Sequence, residues 1–128
     1  MASTKPAHVL IVEDSQLVID ALKVLFDAGG RRVSGARSIA EAREISEIDP
    51  AALVLLDLRL PDGDGLSIVP DLRRAGSVVI ALTGDDDPVK RRRCLDAGCV
   101  EVLIKPVPAR QLMAIADRLI EQGPPAGR

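Results

Sequence analysis

Five times along the chain a short apolar, β-branched run gives way to a longer amphipathic stretch. The runs are Val9–Val12, Val33–Ala36, Leu53–Leu56, Val78–Leu82 and Val100–Ile104. Three of them are almost continuously hydrophobic, as expected of strands covered on both faces in a parallel sheet. The stretches between them carry helical spacing. Ser15–Ala28 sets Leu17, Val18, Ala21, Leu22, Leu25 and Phe26 along one face. Ser38–Ile48 opens with Ser38 and Glu41 at capping-box spacing and stops before Pro50. Gly65–Ala75 is the third helix. Asp87–Ala97 is the fourth, with Pro88 suited to its first turn and Gly98 to its stop. The last runs from Pro108 to Glu121, ahead of Gly123-Pro124-Pro125. Strict strand–helix alternation predicts an α/β sandwich with right-handed crossovers. Residues 8–122 form the expected folded unit, with residues 1–7 and 123–128 as tails.

Size and composition narrow the function. A chain of 128 residues has room for one domain of ordinary size. Its formal charge of −2 gives no electrostatic case for nucleic acid. The longest apolar run, Ala51–Leu56, is far too short to span a bilayer, and no apolar segment of signal-peptide length follows Lys5. A cytoplasmic protein without membrane contact is expected. Cys94 and Cys99 match no zinc spacing and read as free, buried thiols. Phe26 is the only aromatic residue, which disfavours a base-stacking or carbohydrate-binding surface.

In an open α/β sheet, ligands bind beyond the carboxyl ends of the strands. The first strand ends in Glu13-Asp14, the third in Asp57, the fourth in Thr83, and the fifth in Lys105 before Pro106. Taken singly, each has an ordinary reading as a cap, turn or loop residue. Together they place three acids, a hydroxyl and an ammonium on one edge. Three packed carboxylates repel and call for a cation, and an all-oxygen set with few protein ligands suits Mg²⁺. A carboxylate beside such an ion is a nucleophile toward phosphorus, while Lys105 and Thr83 can meet the phosphoryl oxygens. The chemistry that fits is phosphoryl transfer to an aspartate.

On these residues the chain resembles the response regulator receiver domain family of two-component signalling, in its chemotaxis-regulator-like form, over roughly residues 8–122. The matching pieces are Val9-Leu-Ile-Val-Glu-Asp14, Leu55-Leu-Asp57-Leu-Arg-Leu-Pro61-Asp-Gly-Asp-Gly65, Ile80-Ala-Leu-Thr83-Gly84 and Leu103-Ile-Lys105-Pro106. The resemblance implies a doubly wound, flavodoxin-like three-layer sandwich with a five-stranded parallel sheet in the order 2-1-3-4-5. It implies that Asp57 takes a phosphoryl group from a histidine kinase, or from a small donor such as acetyl phosphate. Asp14 and Asp57 would hold Mg²⁺ by carboxylate, Glu13 through water and Arg59 by its main-chain carbonyl. Thr83 and Lys105 would recognise the phosphoryl group. The surface of helix 4, strand 5 and helix 5 would then change its protein contacts. Arg59 and Asp85 occupy positions that tune phosphoryl lifetime in this family, and a pair between them would hinder an attacking water.

The chain departs from the family at Val102, three residues before the lysine, where an aromatic residue usually stands. Valine offers no ring to move, so output is expected to run through the backbone from Gly84 to Pro88. Lys90-Arg91-Arg92-Arg93 is the strongest charge run; it spreads around a helix and reads as a solvated face or a dock for an acidic partner. No effector is expected within these residues, so neither direct DNA binding nor a fused output enzyme is. Three other readings stay open. The first is a phosphorelay intermediate from a hybrid histidine kinase, passing its phosphoryl group to a histidine phosphotransfer protein. The second is a Mg²⁺-dependent phosphohydrolase with Asp57 as nucleophile, which Arg59 disfavours because an acid is usual there. The third is a phosphorylation-independent binding module. In the leading reading the chain is no enzyme beyond its own phosphorylation and dephosphorylation.

Overall fold

The computed structural model describes residues 6–125. Five parallel strands form the central sheet: β1 (His8–Val12), β2 (Arg32–Ala36), β3 (Leu53–Asp57), β4 (Val78–Thr83) and β5 (Glu101–Ile104). Their spatial order is β2-β1-β3-β4-β5, as the resemblance implied. The helices are α1 (Gln16–Ala28), α2 (Ile39–Ile48), α3 (Val69–Arg74), α4 (Pro88–Ala97) and α5 (Ala109–Gln122).

The period-two geometry of the strands sorts the core into two layers. Leu10, Val12, Val54, Leu56, Val79, Ala81 and Val102 face one way and meet Ala42, Val69, Leu72 and Cys94 from α2, α3 and α4, with Ile68 from the turn before α3. Val9, Ile11, Leu53, Leu55, Ile80 and Leu103 face the other way and meet Ile19, Phe26, Leu112, Ala116 and Leu119 from α1 and α5. β1, β3 and β4 are buried along their whole length, so their sequences show no alternation. Phe26 is fully enclosed, and both cysteines are free and buried, as expected.

Caps set the helix starts. The Ser15 hydroxyl accepts from Val18 N–H, the Ser38 hydroxyl from Glu41 N–H, and the Asp87 carboxylate from Val89 N–H. The Ser38 box closes with a shift: the Glu41 carboxylate accepts from Arg37 N–H, one residue before the cap. Gly98, at φ 120°, ends α4 in a conformation that excludes a side chain. Asp49, in the loop after α2, pairs with Arg32 at 2.7 Å and ties that loop to β2.

Two local features differ from the expected pattern. The helix expected over Gly65–Ala75 is a 3₁₀ turn (Gly65–Ile68) followed by the short α3. Pro70 is the cause, since it has no N–H to continue an α-helical ladder from Leu66. The loop after β3 contains a two-residue antiparallel ladder pairing Arg59 with Asp64 and Leu60 with Gly63, which no periodicity announces. The expected tails fall mostly outside the described residues. Within them, Ala7 O accepts from Arg32 N–H and Gly123 N–H donates to Leu119 O.

Gly65 returns this loop against β3. Its N–H donates to Leu58 O at 2.9 Å, and a Cβ there would lie 2.7 Å from Asp57 O and 3.3 Å from Leu58 Cα. Both neighbours are backbone, so a methyl group can enter only if the segment carrying Asp57 moves. Gly65→Ala should therefore cost about 1–3 kcal/mol, the usual range for overpacking. Urea unfolding checks this, and an unchanged midpoint would mean that the loop yields freely.

Candidate functional site

The parallel register delivers the polar strand ends to one edge. Val12 lies opposite Ala36 and Leu56, Asp57 opposite Leu82, and Thr83 opposite Ile104. The next residues along β1 and β5 are therefore Glu13-Asp14 and Lys105. Glu13 is fixed by its N–H to Ala36 O at 2.9 Å, and Lys105 by its N–H to Thr83 O at 2.7 Å. Glu13, Asp14, Asp57, Arg59, Thr83, Asp85 and Lys105 line one cleft of about 300 Å³, together with Leu58, Gly84 and Lys90.

Glu13, Asp14 and Asp57 each present a carboxylate oxygen within 4.8 Å of the other two. Lys105 Nζ stands over them, 3.6 Å from Asp57 Oδ2 and 3.7 Å from Glu13 Oε2. Burial differs within the group. Glu13, Asp57 and Thr83 are buried, while Asp14 is exposed. Loss of water and the neighbouring Asp57 push Glu13 from 4.5 up to about 7, against the opposing pull of Lys105. A divalent cation would relieve this arrangement, and hard oxygen donors suit Mg²⁺. The acidic triad is consistent with a Mg²⁺ site.

The remaining candidate residues stand beside it. Arg59 N–H reaches Asp57 Oδ1 at 3.3 Å, and Asp85 N–H reaches Thr83 Oγ1 at 3.2 Å. Thr83 thus accepts in this bond and keeps its own proton free to donate. Arg59 Nη2 lies 3.6 Å from Asp85 Oδ2, the approach envisaged between those two residues. Val102 is the candidate that does not enter the cleft. Its side chain is buried in the layer under α4.

Several roles were not legible in the sequence. The Asp62 carboxylate accepts from the N–H groups of Ile39 at 2.8 Å and Ala40 at 3.1 Å, bonds that hold it below the usual carboxylate range. Asp64 caps the 3₁₀ turn and pairs with Arg93 at 3.1 Å. The acids after Pro61 are therefore structural, each fastening the loop to a helix. Lys90 reaches into the cleft and donates to Asp85 Oδ2 at 2.7 Å. Only its place in the first turn of α4, facing the sheet edge, could have signalled that. The remaining cations of the run divide their contacts: Arg91 donates to Val102 O at 3.2 Å, Arg93 meets Asp64, and Arg92 lies 3.4 Å from Asp96. Each of the four thus has an internal partner, and they do not form one basic patch.

Comparison with known proteins agrees with this geometry. The family profile of the response regulator receiver domain matches residues 9–117. The TorCAD operon transcriptional regulatory protein TorR of Escherichia coli O157:H7 is 35% identical over 116 residues, covering 90% of this chain and 50% of that protein. The aerobic respiration control protein ArcA of Escherichia coli K12 is 34% identical over 116 residues, covering 90% of this chain and 49% of that protein. A CheY-like response regulator receiver domain protein from Methanospirillum hungatei superposes with a TM-score of 0.84 at 29% identity, covering 92% of this chain and 97% of that one. The chain spans about half the length of the curated relatives it matches. Among the described residues no helix is long and apolar enough to cross a membrane.

Without metal, the raised Glu13 value has a consequence for stability. The folded chain holds the Glu13 proton up to about 7, whereas the unfolded chain releases it near 4.5. The stability carried by the neutral form is therefore complete below 4.5 and is lost as pH climbs through 7. Glu13→Gln keeps a neutral side chain throughout. In chelator, its stability relative to wild type should rise by on the order of 2 kcal/mol between about pH 5 and about pH 8. Parallel pH profiles from urea unfolding would rule this out.

Proposed function

The chain belongs to the response regulator receiver domain family, and on that footing we propose that it is a switch operated by phosphorylation of Asp57. The observation that carries the reading is the position of Asp57: buried, beside Glu13 and Asp14, and 3.6 Å from the ammonium of Lys105. A histidine kinase presents a phosphohistidine, and an Asp57 carboxylate oxygen bonds to its phosphorus as the N–P bond breaks. The bonding electrons return to the imidazole, which gains a proton as it leaves. A small acyl phosphate serves in the same way, with its carboxylate as the leaving group. Asp14 and Asp57 would hold Mg²⁺ by carboxylate, Glu13 through water and Arg59 by its main-chain carbonyl. The ion would neutralise charge on the phosphoryl oxygens. Lys105 takes up a second share of that charge, and the free Thr83 hydroxyl proton donates to a third oxygen.

The switch follows from Thr83. Turning its hydroxyl toward a phosphoryl group draws on the segment from Gly84 to Pro88, whose Asp85 N–H already bonds to Thr83 Oγ1. Val102 is buried and has no ring to reorient, so this backbone carries the change to the face of α4, β5 and α5, where a downstream protein docks. Arg59 and Asp85 tune the lifetime of the phosphoryl group. The unit over residues 8–122 acts in the cytoplasm through protein contacts, touches neither nucleic acid nor membrane itself, and turns over no substrate beyond its own phosphorylation and dephosphorylation.

Incubation with acetyl phosphate and Mg²⁺, followed by intact-mass measurement, tests this. The wild-type chain should gain one phosphoryl group. Asp57→Ala should gain none, and a chelator should abolish the gain. A wild-type chain that stays unmodified with both acetyl phosphate and a histidine kinase would overturn the reading.

A further inference from the structure

At the mouth of the cleft Asp85 is the meeting point of three elements. Its N–H bonds to Thr83 Oγ1 at 3.2 Å. Its carboxylate faces Arg59 from the loop after β3 at 3.6 Å and Lys90 from the first turn of α4 at 2.7 Å. The two cations are not equal. The Lys90 contact is a short charge-assisted hydrogen bond, and its side chain is only 24% exposed. The Arg59 side chain is 84% exposed and outside hydrogen-bond range. Lys90 therefore decides where the Asp85 carboxylate stands. The same lysine lines the cleft that holds Asp57 and Lys105, and its helix is fastened on either side by Arg93 to Asp64 and by Arg91 to Val102 O.

We propose that Lys90 is a positioning residue that holds Asp85 across the mouth of the cleft, and that through this contact the α4 surface governs how long a phosphoryl group on Asp57 survives. The inference rests on Asp57 being the acceptor. Hydrolysis of the acyl phosphate requires a water oxygen to bond to phosphorus as the bond to the Asp57 oxygen breaks. The products are the free carboxylate and inorganic phosphate, with a proton released to solvent. In-line attack brings that water from the side opposite the Asp57 oxygen, and Asp85 lines the same cleft as Asp57. A carboxylate held there occupies the water's path. Without the Lys90 ammonium, Arg59 at 3.6 Å is the one cation among the described residues left facing the Asp85 carboxylate, and the path opens. A partner that draws Lys90 away from Asp85 therefore shortens the phosphorylated state.

The test uses the intact chain phosphorylated with acetyl phosphate and Mg²⁺. The donor is then removed, and loss of the phosphoryl group is followed by intact mass. Lys90→Met keeps the aliphatic stem and removes the charge; it should shorten the half-life about threefold, within the range of one partly exposed ion pair. Lys90→Arg should restore most of it. In an Asp85→Ala background, changing residue 90 should have no effect, a dependence that a merely structural role for Lys90 would not produce. An unchanged or longer half-life in Lys90→Met overturns the inference, as does an equal effect of Lys90→Met with and without Asp85. A wild-type chain that gains no phosphoryl group removes the acceptor reading, and this inference with it. Phosphorylation of the wild type with indifferent Lys90 variants removes this inference alone.

Discussion

Three carboxylates held within one ligand's reach repel one another, and the rest of the molecule is arranged so that they stay together. A parallel sheet brings the carboxyl ends of neighbouring strands to one edge in register. Asp57 and Thr83 end β3 and β4, and Glu13-Asp14 and Lys105 directly follow β1 and β5. The three central strands are sealed on both faces by two apolar layers, which leaves that edge as the place where these charges collect. Lys105 offsets part of the repulsion, while burial first and the neighbouring Asp57 second still hold Glu13 above the usual carboxylate range. A cation held at this edge would relieve that repulsion.

The backbone architecture was legible in the sequence because a period of two and a period near 3.6 leave different marks. Continuous runs at Leu53–Leu56 and Val78–Leu82 carry the pattern of strands covered on both faces, and Ser15, Ser38 and Asp87 mark where helices begin. The site residues were legible for a related reason. In this topology a polar residue directly after a buried strand has one destination, so Asp57, Thr83 and Lys105 could be assembled without coordinates. The strand order came from the family resemblance, because alternation alone leaves several right-handed orders open.

What stayed hidden depends on contacts between segments far apart in the chain. Asp62 entered the sequence reading only as part of the motif after Asp57, yet it closes the first turn of α2. Asp64 and Arg93 lie 29 positions apart and meet because α4 packs beside that loop. The basic run was read as a solvated face or an acidic-partner dock; Arg91, Arg92 and Arg93 are exposed, and what stayed hidden is that its four cations turn to four different partners. A helix rotates successive side chains by about 100°, so neighbours in sequence become residues with separate tasks. Pro70 was visible but its effect was not, because a proline in a first turn and one that shortens a helix look alike in sequence.

Phe26 lies fully enclosed between the sheet and its helices, and the chain contains no tryptophan or tyrosine. A ring at position 102 would have given an optical reporter in the layer under α4, and valine gives none. The protein is nearly dark in near-ultraviolet absorbance and intrinsic fluorescence. Any tryptophan signal from a mixture therefore belongs to the partner. Its docking can be followed in an unlabelled system, with every change in emission assigned to one side of the interface.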